Sequence, residues 1–471
     1  MPEAQFVLKS DRIVTPYGSL PGFVHVRGSK IGEVTTGSPG ADRHRIASHF
    51  LASHQSVKVV DYGHLAISPG LIDVHVHLDE PGREHWEGME SGTRAAAAGG
   101  FTTLIDMPLN SNPCTTTPKE LQRKIATAQG KILVDTAFWA GLVPQNAHHP
   151  KQLQQLVAGG ALGFKAFMSP SGIDDFDNVS VEDVAAALPT IKKLGVPLLI
   201  HAELVDADIP TGGNPRAHST WLESRPRRFE KNAMRALISL LRNDTTPAAE
   251  GFRLHIVHLS DADMLPELAD AKAAQLPLSV ETCPHYLTFA AEDVPEGDTR
   301  FKCAPPIRER ENQGRIWQGL QQGVINGLST DHSPSEPALR LLEEGDFMRA
   351  WGGIAGLQYA LPASWNSAEQ HGLNLTTLAS LWSRFPAKLA GLFKFKGRLS
   401  PGYDADLVVW SPEEPADTRP EHLHHKHKVT PYAGMQLRGR VVATFVRGRQ
   451  VFDAEGGPWT GPACGKTVLK K

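Results

Sequence analysis

The stretch LIDVHVHL, residues 71–78, decides how the rest of the chain is interpreted. It is a short apolar run that contains two histidines, His75 and His77, and a turn follows it at Pro81-Gly82. Side chains two residues apart in a β-strand point to the same side, so both imidazoles could bind one metal ion. An isolated pair of this kind is more often structural, so the interpretation depends on whether the rest of the chain supports it.

Short apolar segments of the same kind alternate with longer helical patterns through the middle of the chain. Eight candidate strands occur in this region: Val74–Leu78, Thr103–Met107, Thr136–Ala140, Phe164–Phe167, Leu198–His201, Leu254–His258, Leu278–Glu281 and Gly327–Thr330. The helical patterns between them include Glu87–Ala98, Pro150–Ala158, Val181–Leu194, Ala233–Leu241 and Leu265–Ala274. Eight alternating units predict an α/β fold, a (β/α)₈ TIM-type barrel. A doubly wound open sheet is disfavoured because no GxGxxG follows the first strand.

Both ends of the chain have the composition of β-strands. Phe23–Val26 and Val441–Val446, for example, are rich in β-branched and aromatic residues. We therefore expect one small β-sandwich domain formed by both termini, residues 1–65 and 401–471, beside a barrel domain at residues 66–400.

Two further segments stand out by their composition. Ser364–Leu373 is mostly polar and is predicted to be a surface loop or an insert. The run at residues 422–428 is rich in histidine and lysine. It could bind metal, or it could be a solvated loop, and composition does not choose between the two.

Side chains that bind metals end several other predicted strands. Lys165 lies in strand four, His201 and His258 end strands five and six, and Asp331 follows strand eight. The carboxyl ends of barrel strands meet at one mouth, where the active sites of TIM barrels lie. Packing alone hardly explains such residues at so many strand ends. Strand alternation turns the neighbouring histidines, His255 and His332, away from this mouth.

Lys165 needs a separate explanation, because an ammonium group has no lone pair for a metal. Burial beside cations would lower its pKa and favour the neutral amine. A neutral amine can add carbon dioxide, and the resulting carbamate could bridge two metal ions. Phe164 and Phe167 indicate a buried setting. The alternative is an ordinary surface or substrate-binding lysine.

These residues resemble the amidohydrolase superfamily, in its cyclic amidase branch, and within that branch the allantoinases. The resemblance runs from about Pro69 to Tyr432. The stretches that carry it, besides the strand-end residues, are Glu80–Gly88, Met107–Asn110, Cys303–Arg308, Ser329–Pro334 and Ala350–Gln358.

The resemblance implies that the protein opens the ring of the small molecule allantoin to give allantoate, a reaction of purine breakdown. It also implies a homotetramer, since enzymes of this kind are often homotetramers. It implies two divalent metal ions joined by a carboxylated Lys165 and a hydroxide. His75, His77 and Asp331 would hold one ion; His201 and His258 would hold the other. Nitrogen and oxygen ligands suit zinc, but also cobalt, manganese, iron or nickel.

For the reaction, the resemblance assigns Asp331 the transfer of a proton from the hydroxide to the leaving ring nitrogen. Asn110, Ser333 and Cys303 with its neighbouring backbone are the expected substrate contacts. One departure is Ala304, where bacterial allantoinases carry serine, so that any contact there would come from the backbone.

Related activities are the main alternatives. Dihydroorotases carry an arginine for the substrate carboxylate where this chain has Asp79, and dihydropyrimidinases carry a tyrosine where it has Pro170. Both differences favour allantoin, although a hydantoinase or dihydropyrimidinase stays the alternative. A non-catalytic scaffold of the same fold is less consistent with the sequence, since every expected ligand position is filled.

Net charge and cysteine content restrict the expected binding partners and the expected cellular compartment. A net charge of −3 without a basic run argues against nucleic acid and membrane partners. No apolar stretch is long enough to span a bilayer, and the first ten residues do not resemble a signal peptide. The four cysteines are widely spaced, which predicts a reducing compartment, the cytoplasm.

Overall fold

The computed structural model describes residues 5–37, 57–206, 209 and 212–471. Within them, the middle of the chain forms eight parallel barrel strands, numbered here one to eight along the chain. Their bounds are Leu71–Val76, Phe101–Asp106, Asp135–Phe138 continued by Ala140–Gly141, Phe164–Phe167, Leu198–His201, Leu254–Ile256, Leu278–Thr282 and Gly327–Leu328. Every residue of strands one, two, five and seven is buried, as expected for parallel strands that are covered on both faces.

The strands close into a barrel through two junctions. Strand three takes part in both parallel sheets, because only Trp139 separates its two segments. On the other side, Val76 of strand one pairs in parallel with His332, just after strand eight. The backbone N–H of His77 also donates to the carbonyl of His332 at 2.9 Å. The predicted barrel is thus confirmed, and its closure lies beside the two histidines that suggested it.

Helices of very different length surround the barrel. Their bounds are Met89–Ala98, Pro118–Ala128, Pro144–Ala147, Pro150–Ala158, Val181–Leu194, His218–Ser224, Arg228–Asn243, Leu265–Ala273, Pro284–Thr288, Arg310–Gln321, Ala360–Trp365, Leu375–Ala379 and Phe385–Leu389. Val181–Leu194 shows why such a helix starts and stops where it does. The Ser180 side chain caps its first turn, Asp183 completes a capping box, and Gly195 ends it in a left-handed conformation.

A separate sheet joins the two chain ends. Its strands are Gln5–Thr15, Gly18–Arg27, Lys30–Thr36, Lys58–Asp61, Ala66–Pro69, Leu407–Pro415, Arg438–Val446, Arg449–Asp453 and Gly457–Pro458. The N-terminal and C-terminal parts meet where Ala66–Pro69 pairs antiparallel with Leu407–Pro415. Apolar side chains from both ends, such as Val24 and Val409, share one buried core. The predicted bounds of this domain stay a prediction, and residues 1–4 and 38–56 lie outside the described part.

The end of the chain returns to the barrel. Thr467 pairs in parallel with Thr136 of strand three, and the N–H of Lys470 donates to the carbonyl of Gly160 at 2.9 Å. Nothing in the composition of the tail indicated this contact.

The prediction of a surface loop or an insert at Ser364–Leu373 is wrong for the start of this segment, whereas Glu369 and Gln370 are exposed. The helix Ala360–Trp365 runs into this segment, and Ser364, Trp365 and Ala368 are buried. The Ser364 hydroxyl donates to the carbonyl of Ala360 at 2.8 Å, which lets a polar side chain stay inside. Trp365 packs against Trp410 of the terminal sheet, with ring centroids 5.4 Å apart. The segment therefore lies between the barrel and the terminal sheet.

Among the described residues, no helix has both the length and the apolar content that a membrane crossing requires.

Candidate active site

Three of the predicted ligands converge at the mouth of the barrel. Ligand atoms of His75, His258 and Asp331 all lie within 4.8 Å of one another, and all three residues are buried. The Nε2 atoms of His75 and His77 lie 3.2 and 3.5 Å from Oδ1 of Asp331. Strand closure brings these residues together although about half of the chain separates them. The group could hold a metal ion.

His75 is oriented by a carboxylate from strand seven. Its Nδ1 lies 2.9 Å from Oε1 of Glu281, and the other carboxylate oxygen lies 3.0 Å from Nε2 of His255. The buried Glu281 thus fixes the His75 ring and leaves Nε2 facing Asp331. His255 is placed behind the mouth, as strand alternation predicted. The sequence did show a carboxylate at the end of strand seven, but no role was assigned to it.

His201 has an equivalent partner two residues further along the chain. Its Nε2 lies 2.6 Å from Oε2 of Glu203, which leaves Nδ1 for another ligand. The Arg225 guanidinium binds the same carboxylate through Nε, at 3.1 Å, and through Nη2. Arg225 and His201 together hold the pKa of Glu203 far below its usual value, although burial opposes this. Glu203 is a functional residue that the sequence reasoning missed.

The electrostatics of the group suit a cation. Burial lowers the pKa of His75 from 6.5 to about 4. Burial, with His201 and Lys165 nearby, holds the pKa of His258 well below 6.5. Burial alone would raise the pKa of Asp331, but His75 and the other histidines hold it well below 3.8. Neutral imidazoles beside a carboxylate are the protonation states that metal binding requires.

Lys165 lies in the same place without a partner. Its side chain is completely buried, and Nζ has no hydrogen bond to any described residue. The ammonium lies 5.0 Å from the ring centroid of Phe167, which stacks on His201 at 4.5 Å. Burial lowers the pKa of Lys165 from 10.5 to about 8. An amine that is buried and unpaired lacks the compensation that a polar group inside a protein needs, and a bridging carbamate would supply it.

The backbone is strained at the mouth. His258, Asp331 and Asn110 have positive φ values of 39°, 43° and 66°. Residues other than glycine adopt this conformation at a cost of about 1–3 kcal/mol, and such strain collects at functional sites. All three residues follow the end of a barrel strand, where the regular alternation of a strand no longer applies, and the sequence pattern does not reveal these conformations.

A cavity of about 210 Å³ opens above this group. It is lined by His75, His77, Leu109, Asn110, Phe167, Pro170, Ser171, Gly172, His201, Trp221, Arg225, His258, Lys302, Ala304, Asp331, Ser333, Trp351, Gly352 and Gly353. Asn110 and Ser333, two of the predicted substrate contacts, belong to this lining.

The third predicted contact, Cys303, lies outside the lining of this cavity. Its side chain is buried, and its thiol donates to the carbonyl of Pro305 at 3.3 Å. Its own carbonyl accepts a hydrogen bond from Nε1 of Trp221 at 2.8 Å. The neighbours Lys302 and Ala304 line the cavity instead.

The residue types at Asp79 and Pro170 favoured allantoin over the substrates of related enzymes. The two residues lie in different places relative to the cavity. Pro170 lines the cavity, whereas Asp79 is buried outside the lining. Burial, with Asp106 and Glu87 nearby, raises the pKa of Asp79 well above 3.8. Because Asp79 does not line the cavity, its location does not support the use of this position to separate the related activities.

The histidine-rich run at 422–428 packs against the mouth from outside. The ring of His425 lies 4.8 Å from that of His332, and the N–H of Lys426 donates to Oε1 of Glu87 at 3.1 Å. Nε2 of His427 lies 2.7 Å from the carbonyl of His85. No group of metal-binding side chains among the described residues includes this run. The run is therefore no metal site among the described residues, and it is not fully solvated either, because His425 is buried.

A larger cavity of about 400 Å³ lies between the terminal sheet and the barrel, lined in part by Tyr359, His422 and Arg440. It contains none of the predicted ligands, so the chemistry points to the smaller cavity.

Comparison with known proteins assigns the class. Residues 66–451 match the amidohydrolase family, and the chain belongs to this family of hydrolases.

Within the family, two similar relatives are allantoinases. It is 47% identical to an allantoinase of Arabidopsis thaliana over 100% of this chain and 92% of that protein. It is 42% identical to an allantoinase of Streptomyces avermitilis over 96% of each chain. Among solved structures, it is similar to the L-hydantoinase (dihydropyrimidinase) of Arthrobacter aurescens, with a TM-score of 0.87, 27% identity and 100% coverage of both chains.

Proposed function

We propose that the protein hydrolyses the cyclic amide bond of allantoin to give allantoate. The observation that carries this proposal is the set of side chains that line the cavity at the mouth. A small cavity is lined both by the buried group of His75, His258 and Asp331 and by side chains that can donate hydrogen bonds, among them Asn110, Arg225 and Lys302. The choice of substrate is supported by two allantoinases that share 47% and 42% sequence identity with this chain over nearly its whole length.

We infer that the site holds two divalent metal ions, with the ligands His75, His77, Lys165, His201, His258 and Asp331. The donor set fits, because burial lowers the pKa of His75, His201 and His258, and because His75 and His201 each keep one ring nitrogen free to bind. The buried, unpartnered Nζ of Lys165 is where a carbamate would form. Zinc suits these donors; cobalt, manganese, iron and nickel are also compatible. Such ions lower the pKa of a bound water to about 7 and polarise a carbonyl group.

Asp331 is the residue that moves the proton. The neighbouring histidines keep it ionised, so that it can accept a proton from the attacking water. The hydroxyl of Ser333 donates to its Oδ1 at 3.0 Å and limits the rotation of the carboxylate. Asp331 would then deliver the proton to the ring nitrogen, which is otherwise a poor leaving group. Asn110 and Ser333 are placed to contact the substrate from the cavity wall.

Oligomer and location stay predictions from the sequence. We expect a homotetramer in the cytoplasm, and we expect allantoin rather than a nucleic acid or membrane to be the partner. All four cysteines are unpaired in the structure, which is compatible with a reducing compartment.

A hydantoinase or dihydropyrimidinase is the second candidate, favoured by the structural similarity to the Arthrobacter enzyme. The test is a side-by-side turnover assay on allantoin, hydantoin and dihydrouracil, with Asp331→Asn as the inactive control. We expect allantoin to have the highest kcat/KM and the variant to lose turnover. A higher kcat/KM on hydantoin or dihydrouracil would replace the proposed substrate, and full activity of the variant would remove Asp331 from the mechanism.

A further inference from the structure

One wall of the cavity carries two cations beside a single indole. Nζ of Lys302 lies 4.2 Å from the ring centroid of Trp221, and Cζ of Arg225 lies 5.4 Å from it. The indole is fixed, because its Nε1 donates to the carbonyl of Cys303 at 2.8 Å. All three side chains line the cavity that contains the ligands. The wall is therefore preorganised around Trp221.

Both cations keep donors free for a ligand. Lys302 donates to the carbonyls of Met348 and Ala350 at 3.1 and 2.6 Å, and an ammonium group has a third N–H. Arg225 binds Glu203 through Nε and Nη2, and its Nη1 makes no hydrogen bond to the described residues. The wall thus offers N–H donors from two side chains to whatever enters the cavity.

The charge of this wall is only partly compensated. Glu203 neutralises Arg225, whereas Lys302 is held by carbonyl groups and lies under the indole, not beside a carboxylate. Burial, with Arg340 and Arg225 nearby, lowers the pKa of Lys302 to about 7. A ligand oxygen at this point would favour the charged form of the lysine.

The two cations share the cavity with the metal-binding side chains. Arg225 reaches His201 only through Glu203, and Lys302 contacts the loop around Ala350. A hydantoin ring held for cleavage beside the ligands would place its ring substituent within the same cavity, where Lys302 and Arg225 are the two cationic side chains of the lining. In allantoin this substituent is a ureido group, whose carbonyl oxygen is a neutral hydrogen-bond acceptor.

We propose that Lys302 and Arg225 bind the ureido carbonyl of allantoin and thereby select this substrate over unsubstituted cyclic amides. This inference rests on the proposed function and makes the two residues specificity determinants. The competing explanation is that Lys302 only holds the loop at Met348–Ala350 in place.

The chain offers a control for that competing explanation. Lys272, which is half-buried, also caps two backbone carbonyls, those of Gly323 at 2.9 Å and Val324, but it lies outside the cavity lining. Lys272→Met thus removes a lysine with the same structural role without touching the wall.

The test compares Lys302→Met, Lys302→Gln and Lys272→Met with the unchanged enzyme on allantoin and on hydantoin, which lacks the ureido group. Hydantoin is also measured as a competitive inhibitor, so that its binding is known even where its turnover is slow. We expect Lys302→Met to lower kcat/KM on allantoin by about 10- to 100-fold, the size of one hydrogen bond to a charged group. For hydantoin, kcat/KM and the inhibition constant should each change by less than about threefold, because hydantoin has no group that contacts Lys302 and distant sites act nearly independently.

Different results would reject the role of Lys302 and the proposed function. An equal loss on both compounds in Lys302→Met, or no loss on either, would overturn the inference. Lys302→Gln keeps an N–H donor and should retain part of the allantoin activity, which shows that the fold is intact. A wild-type enzyme without allantoin turnover would instead reject the proposed function. Dihydroorotate is included because a carboxylate could use the same donors, and its preferential turnover would reassign the wall to carboxylate binding.

Discussion

Glu281 and Glu203 each form a hydrogen bond with one ring nitrogen of a histidine at the mouth of the barrel. A carboxylate in this position fixes the ring orientation and raises the basicity of the free nitrogen. His75 and His201 are therefore pointed at the site before any ion arrives. The carboxylates act through the histidines and are positioning residues, not catalytic ones.

Glu281→Gln should weaken metal binding without removing a ligand. The amide keeps the size of the side chain but loses the charge that holds His75 and His255. We expect the affinity for zinc to fall about 10- to 100-fold, measured by competition with a chelator. Glu267→Gln, which changes a partly exposed carboxylate bound to Arg235, serves as the control. Equal affinities in both variants would contradict the positioning role.

At this scale, side-chain type and strand position were enough to predict which residues gather at the mouth. They did not indicate that Cys303 points away, because a one-residue shift in a loop changes which neighbour lines the cavity. Nor did they reveal the partners of the histidines. Glu203 is joined to Arg225 only by tertiary structure, and the sequence separation of Glu281 from His75 hides their contact.

Strands one and eight are joined by a buried carboxylate. Asp73 accepts hydrogen bonds from the N–H of His75 at 3.0 Å, the N–H of Thr330 at 3.2 Å and the hydroxyl of Thr330 at 2.5 Å. Burial raises the pKa of Asp73 to about 7 even with these donors present. The carboxylate thus depends on its partners, and they hold the closing junction of the barrel.

Thr330→Val should destabilise the barrel at this junction. It is nearly isosteric but leaves a buried carboxylate oxygen without its hydroxyl donor, which costs about 1–3 kcal/mol of unfolding free energy. Urea denaturation of the metal-depleted protein measures the change. Thr330→Ser retains the hydroxyl and should lose less. If the valine variant were as stable as the wild type, Asp73 would not be a closing contact.

Element boundaries were predicted well where packing agrees with local preference. Val181–Leu194 has a capping box and a terminal glycine, so its ends are encoded locally. The error at Ser364–Leu373 has the opposite origin. Its polar composition indicates a loop, but a covering sheet formed by distant residues buries Trp365.

On the scale of the whole molecule, a buried charge cluster joins the barrel to the terminal sheet. Nζ of Lys396 lies 2.8 Å from Asp135 of strand three, and 2.6 and 3.1 Å from Asp406 and Asp404. Arg447 adds a second cation to Asp135. These aspartates could in isolation hold a metal ion, but the lysine already provides the positive charge.

Lys396→Met should therefore be strongly destabilising. Removing one partner of a buried ion pair leaves carboxylates uncompensated, and we expect a loss of about 3–5 kcal/mol in unfolding free energy. Lys30→Met is the matched control, since Lys30 binds Asp404 at 2.7 Å from a half-exposed position. It should lose at most about 1 kcal/mol. Similar losses in denaturant unfolding of the two variants would show that the buried cluster does not join the two parts.

The association of the two chain ends could be predicted from composition, because β-rich segments flank an alternating middle. The return of the tail to strand three could not, since backbone pairing of Thr467 with Thr136 depends on no particular side chain.

The central claim is that strand closure gathers six ligands around a modified Lys165 to hold two metal ions. Metal content per chain, measured for the wild type and Lys165→Ala after loading with zinc and bicarbonate, tests it most directly. We expect two ions per wild-type chain, and fewer ions with most of the activity lost in the variant. Two ions and normal turnover in Lys165→Ala would contradict it.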